Sequence, residues 1–334
     1  MKTSSKRLAL LIVFTLISAL ISLSVGALSL SPLTMLKALF GAGDATHVTI
    51  MQDIRAPRTL LALIIGAGLG TAGASLQGYT RNPLADPGIL GFSATAALGA
   101  VLALYFGYRT FLTPAALVGA AVGAALILAI AGRRHGSTIL ILAGVGIGSL
   151  ATALTGLIMN FAPNPWALSE IAYWLMGSLK NASWTGAGLC AGLTLAGLAA
   201  LFATAFDLRT LSLGEDTAKS LGVSLNKVRV LTVLGVALTV GAGVAIAGAI
   251  GFIGLFIPHI MRGLFGPDPA RLLPLSALGG AGFLALADTL TRLLSTQGTM
   301  LYLGILTALI GAPFFIWLAV RRSAWLSEGG PQPQ

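Results

Sequence analysis

Apolar stretches of membrane-spanning length recur along the whole chain, and that alone excludes most folds. A bilayer core takes about 20 apolar residues of helix, and many windows of this sequence reach that length. Charged residues are 9% of the 334, against about 25% in soluble domains. The expected fold class is therefore an all-α integral membrane protein, with one transmembrane domain over residues 1–334. Its 43 glycines would weaken helices in water, but in lipid they let helix backbones approach closely. Small residues four apart, Gly66 with Gly70 and Gly144 with Gly148, carry that packing signature and specify no ligand. The lone Cys190 lies inside an apolar run, so no intrachain disulfide is possible.

About ten spans are expected in one bundle, over residues 8–28, 58–77, 90–108, 112–132, 138–160, 185–206, 228–245, 247–265, 272–293 and 301–320. The seventh and eighth share one apolar stretch. An even count puts both termini on one side, and Lys2, Lys6, Arg7, Arg321 and Arg322 make that side cytoplasmic. Most of the remaining cations, Arg133 and Arg134 among them, then also face the cytoplasm. Lys37, Arg55, Arg58, Arg109, Lys180 and Arg292 face outward. The net charge of +10 flanks spans rather than forming a basic patch with aromatics, so it reads as a topology signal and not as nucleic-acid binding. The first apolar run exceeds a secretory signal core and is read as a retained span. Two outer segments carry interfacial features: an amphipathic turn over 33–40 that gives way to loop around Gly41, Gly43 and Asp44, and a stretch over 161–184 with Trp166, Tyr173, Trp174 and Trp184. Surface-lying or re-entrant helices suit both.

Charge concentrates in residues 207–229, where Asp207, Arg209, Glu215, Asp216, Lys219, Lys227 and Arg229 stand between two apolar halves. Gly214 can start and Gly222 can stop a short helix, because glycine suits the left-handed backbone region. Ser224 is placed to N-cap a second helix running into the next span. Two short cytoplasmic helices on an apolar protein make a docking surface; the plainer alternative is a solvated loop.

Chemistry is sparse elsewhere. His47, His135 and His259 show no ligand spacing, and no cofactor or metal site is expected. Asp288 is the one acid well inside a span, a default proton-carrier position; Arg292, four residues on, offers an ion pair instead. The segment 214–220 superficially resembles a phosphate-binding loop but has the wrong spacing, and Glu215 and Asp216 would repel phosphates. ATP, if used, binds another chain. Pro258 should break the eighth helix near its cytoplasmic end, and Asn82-Pro83-Leu84-Ala85-Asp86-Pro87-Gly88 forces an irregular turn.

Arg55-Ala-Pro57-Arg58, that NPLADPG turn, Leu142-Ala-Gly-Val145, Tyr173-Trp-Leu-Met-Gly-Ser178, Leu213-Gly-Glu-Asp216 with Leu221-Gly-Val223, Gly248-Ala-Ile-Gly-Phe-Ile-Gly-Leu255 with Pro258-His259, and Gly311-Ala-Pro-Phe314 follow in order over roughly residues 50–320. Together they resemble the type II ABC importer permeases that take up ferric siderophores, haem and cobalamin. The resemblance implies a ten-span homodimeric permease in a bacterial inner membrane, with two ATPase subunits binding ATP and magnesium below it. A substrate-binding protein outside would deliver the metal chelate. It further implies coupling helices around Leu213, Gly214, Glu215, Asp216, Leu221 and Gly222, and a cytoplasmic gate at Asn82, Leu84, Ser137 and Thr138. Arg55, Arg58 and Arg292 would meet acidic residues of the binding protein, and the fifth and tenth spans would line the pathway. Many members carry a proline shortly before the last span, where this chain reads Met300-Leu-Tyr302-Leu-Gly304.

The expected function is thus a transport subunit, not an enzyme: the permease of an ATP-driven importer for an iron chelate, a ferric siderophore ahead of haem or cobalamin. The reading from another class is a proton-coupled secondary transporter using Asp288.

Overall fold

The structure, a computed structural model, describes residues 2–26, 28–132, 137–295 and 299–327. Ala27, Arg133, Arg134, His135 and the side chains of Lys2, Arg321 and Arg322 lie outside the described residues. The regular elements are helices. The first eight are α1 (Lys2–Ser24), α2 (Pro32–Leu39), α3 (Ala45–Thr49), α4 (Ala56–Thr80), α5 (Phe92–Tyr105), α6 (Leu112–Ala131), α7 (Ser137–Asn160) and α8 (Pro165–Leu175). They are followed by α9 (Trp184–Phe202), α10 (Ala205–Leu211), α11 (Glu215–Ser220), α12 (Leu225–Ala247), α13 (Ile253–Phe265), α14 (Pro269–Leu294) and α15 (Leu303–Ser327). Each expected span holds one helix. Seven helical segments are long and apolar enough to cross a membrane, while α5, α13 and the 303–318 part of α15 are shorter apolar helices.

Helix starts follow local chemistry. Ser31, Asn164, Ser183, Ser224 and Asp268 each accept a backbone N–H of the helix they precede, satisfying donors that a first turn leaves unpaired. The loop expected around Gly41, Gly43 and Asp44 is present but short. Asp44 caps α3, and the chain then stays helical through a π-helical turn, Ile50–Arg55, into α4. From Ala45 onward the segment before α4 is therefore a helical extension of it.

α4, α12 and α14 make the centre of the bundle, being the most buried of the spanning segments. The α4–α14 contact is backbone against backbone. A Cβ at Gly66 would collide with Gly280, one at Gly70 with Ser276, and one at Gly73 with Gly254 of α13. The second small-residue pair, Gly144 and Gly148 on α7, receives Leu90 and Gly91 from the turn after α4.

Pro258 does not break its helix; α13 runs through it. The interruption lies earlier, over 248–252, between α12 and α13, where Phe252 takes a left-handed φ of 68°. A helical proline frees the carbonyl four residues back, here that of Gly254. That carbonyl accepts Nε2 of Gln77 at 3.3 Å, and Leu255 O lies 3.4 Å from the same nitrogen. Gln77 Oε1 in turn accepts Arg262 Nη2 at 2.8 Å. With its orphan carbonyl satisfied from α4, α13 tolerates the proline.

Residues 300–304, where the family proline is missing, start α15 by another device. The Leu303 and Gly304 amides donate to Gly177 O (2.9 Å) and Met176 O (3.1 Å), just beyond the C-terminus of α8. Tyr302 stacks on Tyr173 with centroids 5.9 Å apart.

Close backbone contact predicts an asymmetric response to added methyl groups. Gly73→Ala should destabilise the protein by about 1–3 kcal/mol through overpacking. Gly188→Ala on α9, whose Cβ would meet nothing within 4 Å, should be neutral or mildly stabilising. Thermal unfolding in detergent, followed by size-exclusion chromatography, distinguishes the two.

Candidate coupling surface, gate and outer arginine cluster

The charged stretch holds the end of α10, the short α11 and the start of α12, which Ser224 caps as expected but which is a long helix of 23 residues. Gly214 (φ 110°) precedes α11 and Gly222 (φ 87°) follows it, both in the backbone region that only glycine enters cheaply. Ala218 is the buried residue of α11, while Leu213 and Leu221 are 65% and 63% exposed at its two ends. The two acids part company. Asp216 is fully exposed beside Lys219, at 3.3 Å, whereas Glu215 turns inward. Its Oε1 lies 3.4 Å from the backbone nitrogen of Ser137 and 3.7 Å from Arg81 Nη2. Arg209 on α10 pairs with Asp268, the cap of α14, through Nε at 2.9 Å. That hydrogen bond holds the Asp268 carboxyl below its ordinary value.

The turn carrying Asn82 and Leu84 begins at Arg81, which takes a left-handed φ of 52°. Asn82 Oδ1 accepts the Leu84 amide at 2.9 Å, and Asp86 Oδ1 accepts the Gly88 amide at 2.8 Å. Leu84 is 52% exposed. Ser137 is half-buried and Thr138 exposed at the start of α7. Through Glu215 the fold therefore joins Ser137 to Arg81, the neighbour of Asn82. Arg81 was absent from the expected site: nothing local marks a residue whose partner is remote in sequence.

On the other side of the bundle, the three arginines are turned into the protein. Arg58 grips Asp288 in two-pronged fashion, Nε to Oδ2 at 2.9 Å and Nη2 to Oδ1 at 2.8 Å. The expected Asp288–Arg292 pair is present as well, at 3.3 Å. Arg292 also donates to Ser22 O (2.9 Å), Val25 O (2.6 Å) and Ser22 Oγ (2.9 Å). Arg55 donates to Leu23 O (3.0 Å), Ser24 O (2.8 Å) and Leu28 O. Arg55 and Arg292 thus place positive charge at the C-terminus of α1, the negative end of its dipole. Arg55 and Arg58 do not present one common face: one binds toward α1, the other toward α14. The three border a cavity of about 630 Å3, lined otherwise by apolar residues such as Ile54, Met300 and Leu301 and by Thr291 and Ser295.

Asp288 has no exposed surface, so its neutralisation is structural. Asp288→Ala should cost about 3–5 kcal/mol, because it leaves two guanidinium groups facing each other in a buried site. Arg58→Ala, which keeps the Arg292 partner, should cost less. A double-mutant cycle on thermal unfolding measures the coupling. Among the described residues, no group of three or more His, Cys, Asp or Glu side chains is placed to share a metal ion.

Comparison with known proteins agrees with this architecture. Residues 13–321 match the FecCD transport family. The hemin transport system permease of Yersinia pestis is 38% identical over 324 residues, covering 94% of this chain and 95% of its own. The cobalamin import system permease of Halobacterium salinarum is 40% identical over 285 residues, covering 84% of this chain and 75% of its own. A solved metal-chelate type ABC transporter in an inward-facing conformation superposes with a TM-score of 0.86 at 34% identity. That match covers 95% of this chain and 99% of the other. The chain belongs to the FecCD transport family of multi-pass ABC transporter permeases, and it is a transport subunit rather than an enzyme.

Proposed function

We propose that this permease imports an iron chelate, a ferric siderophore ahead of haem or cobalamin, and that ATP bound with magnesium on a separate ATPase pair drives it. The observation that carries the reading is α11. Outside the apolar spans, exposed Leu213 and Leu221 flank a helix whose inner acid reaches the start of α7 and the turn after α4. Exposed leucines in a polar segment mark a surface that a partner covers. The working unit is a homodimer in a bacterial inner membrane, with both termini cytoplasmic and a binding protein outside. α7 leaves Leu142, Leu150 and Leu157 exposed, and α15 leaves Leu309 and Ile316 exposed; these faces suit the second copy and the pathway between the two.

Among the outer arginines, Arg58 retains Nη1 without a hydrogen bond among the described residues, so it is the one best placed to meet a carboxylate of the binding protein. One relative is a hemin transport permease and the other a cobalamin import permease, so cargo is decided by uptake. A proton-carrying Asp288 finds no support, because two arginines hold its carboxylate.

Three measurements follow from this reading. Proteoliposome uptake of a ferric siderophore, haem and cobalamin should require the ATPase pair, and uptake unchanged without it overturns the ATP-driven mechanism. Leu221→Ser should lower recovery of the ATPase in detergent pull-down by about tenfold, the equivalent of one leucine's lost burial at roughly 1.4 kcal/mol. Leu84→Ala should fold normally yet leak a trapped small dye, since an apolar constriction loses its seal when truncated; retention equal to the parent protein would remove Leu84 from the gate.

A further inference from the structure

The junction between α6 and α7 brings together two opposite helix ends. A helix C-terminus carries unpaired carbonyls and partial negative charge; an N-terminus carries unpaired amides and partial positive charge. Here each end meets the side chain of opposite sign, and both side chains come from residues 207–229. Arg229, only 5% exposed, donates through Nη1 to Ala131 O, the last residue of α6, at 3.0 Å. Its Nη2 is held by Asn226. Glu215 accepts from the Ser137 amide, the first residue of α7, at 3.4 Å, and the same oxygen faces Arg81 at 3.7 Å. In sequence only residues 132–136 separate the two gripped helix ends.

The two halves of this clamp differ in strength. The Arg229 contact is buried and short. The Glu215 contacts are longer, and its side chain is 24% exposed, so water competes for them. Glu215 is also the first residue of α11, the helix whose outer surface meets the ATPase in the reading above. Arg229 lies inside the long α12. A shift of α11 therefore acts on Glu215 first, while Arg229 holds α6 in place.

We propose that Glu215 is the positioning residue that carries movement of α11 to both candidate gate segments, the Arg81–Leu84 turn and the start of α7, with Arg229 as the fixed pivot. This deepens, and rests on, the ATP-driven reading. It assigns the two acids of α11 separate tasks. Asp216 faces the partner, and Glu215 faces the gate.

The test is reconstituted permease with its ATPase pair and binding protein, read as ATP hydrolysed per chelate transported. Glu215→Ala should lower transport per ATP hydrolysed roughly five- to tenfold, a ratio that counts only the ATPase still bound in each preparation. Glu215→Gln keeps an acceptor for Ser137 but loses the charge, and should fall in between. It also serves as the readout if the alanine variant is poorly folded. Arg81→Ala added to Glu215→Ala should cost little more, because the pair acts through one contact. A merely structural Glu215 would lower the yield of folded protein without changing the ratio. Transport per ATP equal to the parent in folded Glu215→Ala or Glu215→Gln overturns the proposal and leaves the importer reading standing. Parent permease that neither retains the ATPase nor needs it for uptake overturns both.

Discussion

Everything in this fold hangs on the bare backbone of α4. In lipid, helices gain nothing from hiding apolar side chains from each other, because the tails outside are equally apolar; close packing must hold them together. The glycine face at Gly66, Gly70 and Gly73 brings α4 against α14 and α13 closely enough that a methyl group would collide with main chain. That contact aligns features spaced along one rod. Arg58 reaches Asp288 at one end, Gln77 satisfies the carbonyl freed by Pro258 further along, and Arg81 meets Glu215 just past the other end. α4 is thereby the element through which the arginine cluster, the interrupted α12–α13 pair and the turn after α4 share one frame.

The polar groups follow a common rule. At several places where a helix end or a proline-interrupted helix leaves backbone groups unpaired, a side chain remote in sequence supplies the partner. Arg55 and Arg292 serve the end of α1, Arg229 the end of α6, Glu215 the start of α7, and Gln77 the interior of α13. An unsatisfied amide or carbonyl in an apolar setting costs several kcal/mol, so each pairing contributes to folding as well as to orientation.

Local pattern made the span positions, the short helix between Gly214 and Gly222, and the Ser224 cap legible, because each depends on neighbours within a few residues. The Asp288–Arg292 pair was legible for the same reason, being one helical turn apart. What stayed hidden was remote in sequence. Nothing near Arg58 shows that its partner is Asp288, and nothing near Glu215 shows that it faces Ser137 while Asp216 faces out. Pro258 was misjudged because its local rule is sound but incomplete: a proline breaks a helix only where the freed carbonyl finds no donor. A glutamine alone inside an apolar span, at Gln77, was the available hint, since polar groups at that depth need partners.

The double neutralisation of Asp288 has a consequence for the order in which the protein is made. Arg58 is synthesised 230 residues before Asp288, so α4 must first lie in the membrane without that partner. Its position near the start of the helix lets the long side chain reach back to the headgroups meanwhile. α14 faces no such wait, because Asp288 and Arg292 emerge four residues apart and can enter the bilayer as a neutral pair. The late helix thus carries its own counter-charge into the membrane, and the early one exchanges a lipid headgroup for a carboxylate only when the bundle closes.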